Sequence, residues 1–169
     1  VTDIYGPLPY TAFGKMSSGL PYDSQETVYR TFIKELDHAL KTLKAAYEAD
    51  SGAKPIADFD VVFDSDLEKW IRFANSLKLR LAMRIVYTDF TTDDGRTPQQ
   101  LAEEAVSSEL GVIEDNSGNA MYTGFGKDGN PFYVCFFSYK SGAGDHRVAA
   151  DIASFMNGYA DPRRASYFN

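Results

Sequence analysis

A single cysteine, Cys135, leaves this chain of 169 residues without an internal disulfide and without the thiolates of a cysteine-rich zinc cluster. Its two histidines, His38 and His146, stand far apart, and neither has a neighbouring nucleophile or ligand to act with. There is no GxSxG, HExxH, CxxC or glycine-rich phosphate loop. Positive charge is also scarce: 17 Lys and Arg against 24 Asp and Glu give a net charge of -7, the reverse of a nucleic-acid footprint. No apolar run is long enough to cross a bilayer, and no signal peptide stands out. The first residue is Val rather than Met, as in a processed or shortened chain, so missing targeting signals say little. Carboxylates are plentiful, but nothing in the pattern sets two of them across a cleft, as glycoside hydrolysis requires. No cofactor, metal or catalytic residue is expected.

What is present is helical. The stretch from Asp66 to Tyr87 has neither Gly nor Pro. Leu67, Trp70, Ile71, Ala74, Leu77, Leu81 and Ile85 recur at steps of three and four, the period of one apolar helix face. Phe73, Leu79, Met83, Val86 and Tyr87 make most of a second face. Lys69, Arg72, Ser76, Arg80 and Arg84 are left as a narrow polar strip, read as a wet face whose arginines pair with carboxylates or as an anion contact. This helix is expected to be a central beam touching neighbours on more than one side, with Trp70 its largest contribution to burial. Ser65 and Glu68 have capping-box spacing, with Asp66 in the first turn.

Around this beam the chain alternates loops and helices. Pro7, Pro9 and Pro21 argue against a helix in residues 1–24. That segment is expected to lie extended on a surface through Tyr5, Leu8, Tyr10 and Tyr22, as a tie-down or as a binding lip. A helix is predicted from about Gln25 to Tyr47, capped by Ser24 or by Asp23 with Glu26, with Tyr29, Phe32, Ile33, Leu36, Leu40 and Leu43 on one side. Asp58, Asp60, Asp64 and Asp66 invite a calcium reading, but the glycine and closing glutamate of a calcium loop are missing, and a loop with a cap fits better. Thr97, Pro98 and Gln100 start a third helix by cap, first-position proline and capping box. A fourth runs from about Asp145 to Asn157, with Val148, Ile152, Phe155 and Met156 on one face. The chain is thus expected to be an all-α packing.

Aromatic residues make up 14% of the chain, and residues 112–144 concentrate them without helical period. Tyr122, Phe125, Phe132, Tyr133, Phe136, Phe137 and Tyr139 fall here among glycines. A loop this long and aromatic is commonly functional. Its rings either face outward to stack on sugars, bases or a protein, or face inward over the core.

Several stretches together resemble the SusD/RagB family of outer-membrane, substrate-binding lipoproteins. They are YGPLPY at 5–10, PYDSQETVY at 21–29, LDHAL at 36–40, DLEKWIRFANSLKLRLAMR at 66–84, AEEAV at 102–106 and RVAADIASFMNGYADPRRASYF at 147–168. The family usually carries glycine near positions 64 and 65; this chain has Asp64 and Ser65. The resemblance implies tetratricopeptide-like helix pairs, with residues 1–169 as a single SusD-like helical domain, an internal portion of a longer chain. It also implies a lipid anchor lying outside this chain and a place on the outer face of a Gram-negative outer membrane. The implied role is non-catalytic binding of an oligosaccharide or polysaccharide for delivery to a SusC-type TonB-dependent transporter. The site residues it suggests are Tyr122, Phe125, Asn130, Tyr133, Tyr139 and Asp145. The alternative is a helical docking scaffold with no ligand site in this portion.

Overall fold

The computed structural model describes residues 1–15, 19–122 and 148–167. Six α-helices lie within them: α1 (Thr2–Tyr5), α2 (Gln25–Ala49), α3 (Leu67–Arg84), α4 (Pro98–Val106), α5 (Ala150–Gly158) and α6 (Arg164–Tyr167), with a 3-10 turn at Asn116–Gly118. The one β-type pairing among the described residues is an isolated bridge between Leu8 and Asp23, and the architecture is all-α. The chain divides into two compact units, Val1–Tyr122 and Thr123–Asn169.

In the first unit α3 packs against both α2 and α4. Tyr29 and Ile33 near the start of α2 join Ala82 and Ile85 at the end of α3, with Phe90 and Leu101. Leu40, later in α2, meets Ile71 and Ala74 early in α3. The two helices therefore run antiparallel, and their apolar stripes form the core. Completely burying Ile71 or Leu101 contributes about 1.5–3 kcal/mol each. Trp70 is only half-buried. Its ring meets Phe63 and Phe73 edge-on, and the deepest α3 positions are instead Ile71, Ala82, Asn75 and Leu67. The second expected face is uneven: Met83 is 56% exposed and Tyr87 is fully exposed.

Local chemistry sets where each helix begins. The Ser24 hydroxyl accepts from Thr27 N and caps α2, a contact worth about 1 kcal/mol. Asp23 is engaged elsewhere, accepting from the amide and hydroxyl of Thr11. The cap of α3 is Asp66, which accepts from Lys69 N at 3.1 Å, rather than Ser65. Ser65 is 1% exposed and its hydroxyl accepts from Ile56 N. At α4 the capping box of Thr97 and Gln100 forms in both directions behind Pro98.

The turn before α3 is organised by Asp60. Its carboxylate accepts from Val62 N, Phe63 N, Ser65 N and the Trp70 indole N–H, the last at 2.6 Å. Desolvation would raise this carboxyl, but the Trp70 and backbone hydrogen bonds outweigh it and hold it at about 2. Asp64 pairs with Lys54, and Asp66 is a cap. Three of the four aspartates thus serve loop and helix, and no cluster of three or more metal-ligating side chains occurs among the described residues. Asp64 and Ser65 both sit in the left-handed region, at φ 53° and 58°, the conformation that favours glycine.

Residues 1–15 and 19–24 depart from the fully extended reading. The short α1 precedes Pro7, so the prolines do not forbid it. The segment is tied down through Tyr10, whose ring meets Phe32 edge-on and whose hydroxyl donates to Glu35. Tyr5 and Tyr22 are 77% and 72% exposed and take no part in that anchoring. In the second unit α5 begins at Ala150; the start expected near Asp145 lies outside the described residues. Of the residues expected on one face, Val148, Ile152 and Phe155 are exposed and Met156 is half-buried, and Phe155 stacks on Tyr159.

Candidate functional site

The aromatic stretch is entered through a segment that α3 pins in place. Asn75, 2% exposed, donates from Nδ2 to the Gly111 carbonyl at 2.7 Å. The next residue, Ser76, accepts from Ile113 N at 2.9 Å while donating to the Arg72 carbonyl. Gly111 has φ 67°, a turn that a side chain would strain. Beyond it, Arg72 bridges Glu68 at 3.0 Å and Glu114 at 3.8 Å. Asp115 accepts from the hydroxyl and amide of Ser117, which closes the 3-10 turn and lowers the Asp115 carboxyl below its ordinary range. A side chain at Gly118 would meet Ile113 Cγ2 at 3.0 Å, so the turn lies tight on Ile113.

Tyr122 follows this turn and is 47% exposed. Of the residues suggested for ligand contact it is the one described. Phe125, Asn130, Tyr133, Tyr139 and Asp145 lie outside the described residues, as does most of the 112–144 loop. The anchors of Gly111 and Ile113, Asn75 and Ser76, were not singled out as such by residue pattern, Ser76 being placed only in the polar strip of the helix. The signal for Asn75 was available: 71, 74, 75, 78 and 82 share one helix face, so Asn75 and Lys78 are polar residues in core register.

Lys78 makes the second element of the frame. It is 6% exposed, and its Nζ lies 2.8 Å from both Asp37 on α2 and Glu104 on α4. Arg96 grips the same two carboxylates at 2.6 and 2.9 Å. Burial pushes Asp37 and Glu104 upward, but hydrogen bonds from Arg96 and Lys78 outweigh it, and both carboxyls fall below their usual range. Two cations and two carboxylates thus tie three helices together. Carboxylates held ionised in this way serve as structural anchors and are poor proton donors.

The helical fold recurs in known proteins. The family model described as "Susd and RagB outer membrane lipoprotein" matches residues 1–169. The structure of a SusD homologue from Bacteroides uniformis is 43% identical, with a TM-score of 0.78 over 98% of this chain and 33% of its own. A chitin-binding SusD homologue from Flavobacterium johnsoniae is 36% identical, with a TM-score of 0.72 over 97% of this chain and 32% of its own. A SusD homologue from Bacteroides ovatus is 35% identical, with a TM-score of 0.72, over 99% and 32%. The chain spans about a third of the length of these structures. No curated protein matches it.

Proposed function

This chain belongs to the SusD/RagB family of outer-membrane lipoproteins, and from that premise we propose that it binds an oligosaccharide or polysaccharide without transforming it. In this reading the bound glycan passes to a SusC-type TonB-dependent transporter, and residues 1–169 form a single SusD-like helical domain, an internal portion of a longer chain. The observation that carries the reading is the family match along the whole chain, which includes a relative described as chitin-binding at 36% identity. The site we assign is the aromatic stretch of Tyr122, Phe125, Tyr133 and Tyr139 with Asn130 and Asp145. Rings stack on pyranose faces while the amide and carboxylate bond hydroxyls. Tyr122 supports this placement: it is half exposed directly after a turn locked onto α3.

Titration calorimetry of the protein against a panel of chitin, starch and plant-wall oligosaccharides tests the proposal. Binding of one glycan class, with the glycan recovered intact, is the expected result. A protein that binds none of them would favour a docking scaffold instead, and release of shortened sugars would replace binding by hydrolysis.

A further inference from the structure

A second ligand position lies at the other end of the α2–α3 pair. A cavity of about 470 Å3 opens between α1, the first turn of α2 and the end of α3, lined by Asp3, Glu26, Tyr29, Arg84, Asp89 and Phe90 among others. That volume is typical of a small-molecule site. Its floor is firm, since Tyr29 and Phe90 are 4% and 7% exposed and belong to the core cluster. The Tyr29 hydroxyl donates to Asp3 Oδ1 at 2.6 Å. Burial and that bond push the phenol to about 12, so it remains a neutral donor. Glu26 is engaged by Arg30 at 2.7 Å.

Arg84 and Asp89 are different. Both are exposed and line the same cavity, and among the described residues neither side chain makes a hydrogen bond or ion pair. A guanidinium is a planar fork suited to a carboxylate. The carboxyl oxygens of Asp3 and Asp89 are acceptors suited to hydroxyl groups. A neutral sugar could accept from Arg84 through its hydroxyls but would offer no charge-assisted, two-pronged pairing to the guanidinium. A simple carboxylate without hydroxyls would set its negative charge against Asp3 and Asp89 with nothing to offer them. A sugar that carries its own carboxylate satisfies both sides.

We propose that this cavity binds the uronate unit of an acidic glycan, with Arg84 holding the sugar carboxylate and Asp89 and Asp3 accepting from its hydroxyls. The ligand class rests on the glycan-binding reading above, whereas the position rests on the cavity and the two exposed charged side chains that line it.

The test is calorimetry of the full chain with trigalacturonate, with neutral chitin trisaccharide and with glycine as a zwitterion. Trigalacturonate should bind, Arg84→Gln should weaken it at least tenfold, and Asp89→Asn should weaken it severalfold. Arg84→Lys should recover part of the loss. Binding of the chitin trisaccharide, where present, should be unchanged in all three variants. Both substituted residues are exposed, and thermal melts of each variant check that the fold is intact. Equal trigalacturonate affinity in wild type and Arg84→Gln overturns the proposal. So does glycine competing for the site through Arg84. A protein that binds the neutral glycan but not trigalacturonate overturns this inference alone, and one that binds no glycan overturns the wider reading with it.

Discussion

Lys78 Nζ reaches Asp37 Oδ1 at 2.8 Å across the α2–α3 interface, from a position that is 6% exposed. The pair sits between the two apolar clusters and shares Glu104 and Arg96 with α4 and its leading loop. Replacing Lys78 by Met keeps the volume but leaves two half-exposed carboxylates with Arg96 as their remaining cation. The expected cost is about 2–3 kcal/mol, below the 3–5 kcal/mol of a fully buried broken pair because water reaches Asp37 and Glu104. Urea denaturation checks it. A loss under about 0.5 kcal/mol would show that solvent replaces the lysine.

Stability should fall on the acid side. Asp37, Asp60, Asp94 and Glu104 all have lowered folded-state values, Asp60 and Asp94 at about 2. A lowered value means the unfolded chain takes up protons first. The contribution is therefore complete above the unfolded value near 4 and is lost as the pH drops through the folded value. Melting temperature should be flat from about pH 5 to 7 as far as these groups decide it, and should fall between about pH 4 and 2. Asp60→Asn should lower the plateau and shallow the acid limb. An unchanged acid limb would remove Asp60 from the account.

Asp64 is a left-handed residue where relatives are expected to carry glycine. Its compensation is an exposed pair with Lys54, and such pairs contribute little. Asp64→Gly is accordingly expected to stabilise the protein by about 0.5–1 kcal/mol by relieving the strained backbone. Thermal denaturation reads the sign directly. A destabilised variant would mean that the Lys54 contact outweighs the strain.

Asn75→Leu deletes the donor to the Gly111 carbonyl. Leaving that carbonyl without its partner should cost about 1–3 kcal/mol. The specific readout is hydrogen exchange at Ile113, whose amide is bonded to Ser76. Faster exchange there, with α2 unchanged, is the expected pattern. Uniform acceleration would indicate global destabilisation instead.

Tyr122→Ala and Tyr133→Ala should each weaken the preferred glycan by about 1 kcal/mol, or about fivefold, and together by about thirtyfold if the rings act independently. Affinity electrophoresis in glycan-containing gels is sufficient to see it. Full binding by the double variant would move the site away from the aromatic stretch.

Residue order alone determined the helical architecture of this protein. The 3-4 spacing of Ile71, Ala74, Leu81 and Ile85, the Ser24 cap and the Thr97–Pro98–Gln100 start are local signals, and local signals survive without knowledge of neighbours. The family likeness was equally legible, because its motifs are contiguous runs. Tertiary structure decided what depends on partners distant in sequence. Trp70 gave way to Ile71 and Ala82 as the deepest part of α3 because burial depends on which helix lies opposite. Asp66 displaced Ser65 as the cap because Asp60 had already drawn Ser65 into the preceding turn. Arg84 and Asp89 came to share one cavity with Asp3 through the packing of α1 and α2 against the end of α3. Periodicity records which face of a helix is apolar; charge pairing and cavities arise where faces from separate segments meet, and no single stretch of sequence encodes that meeting.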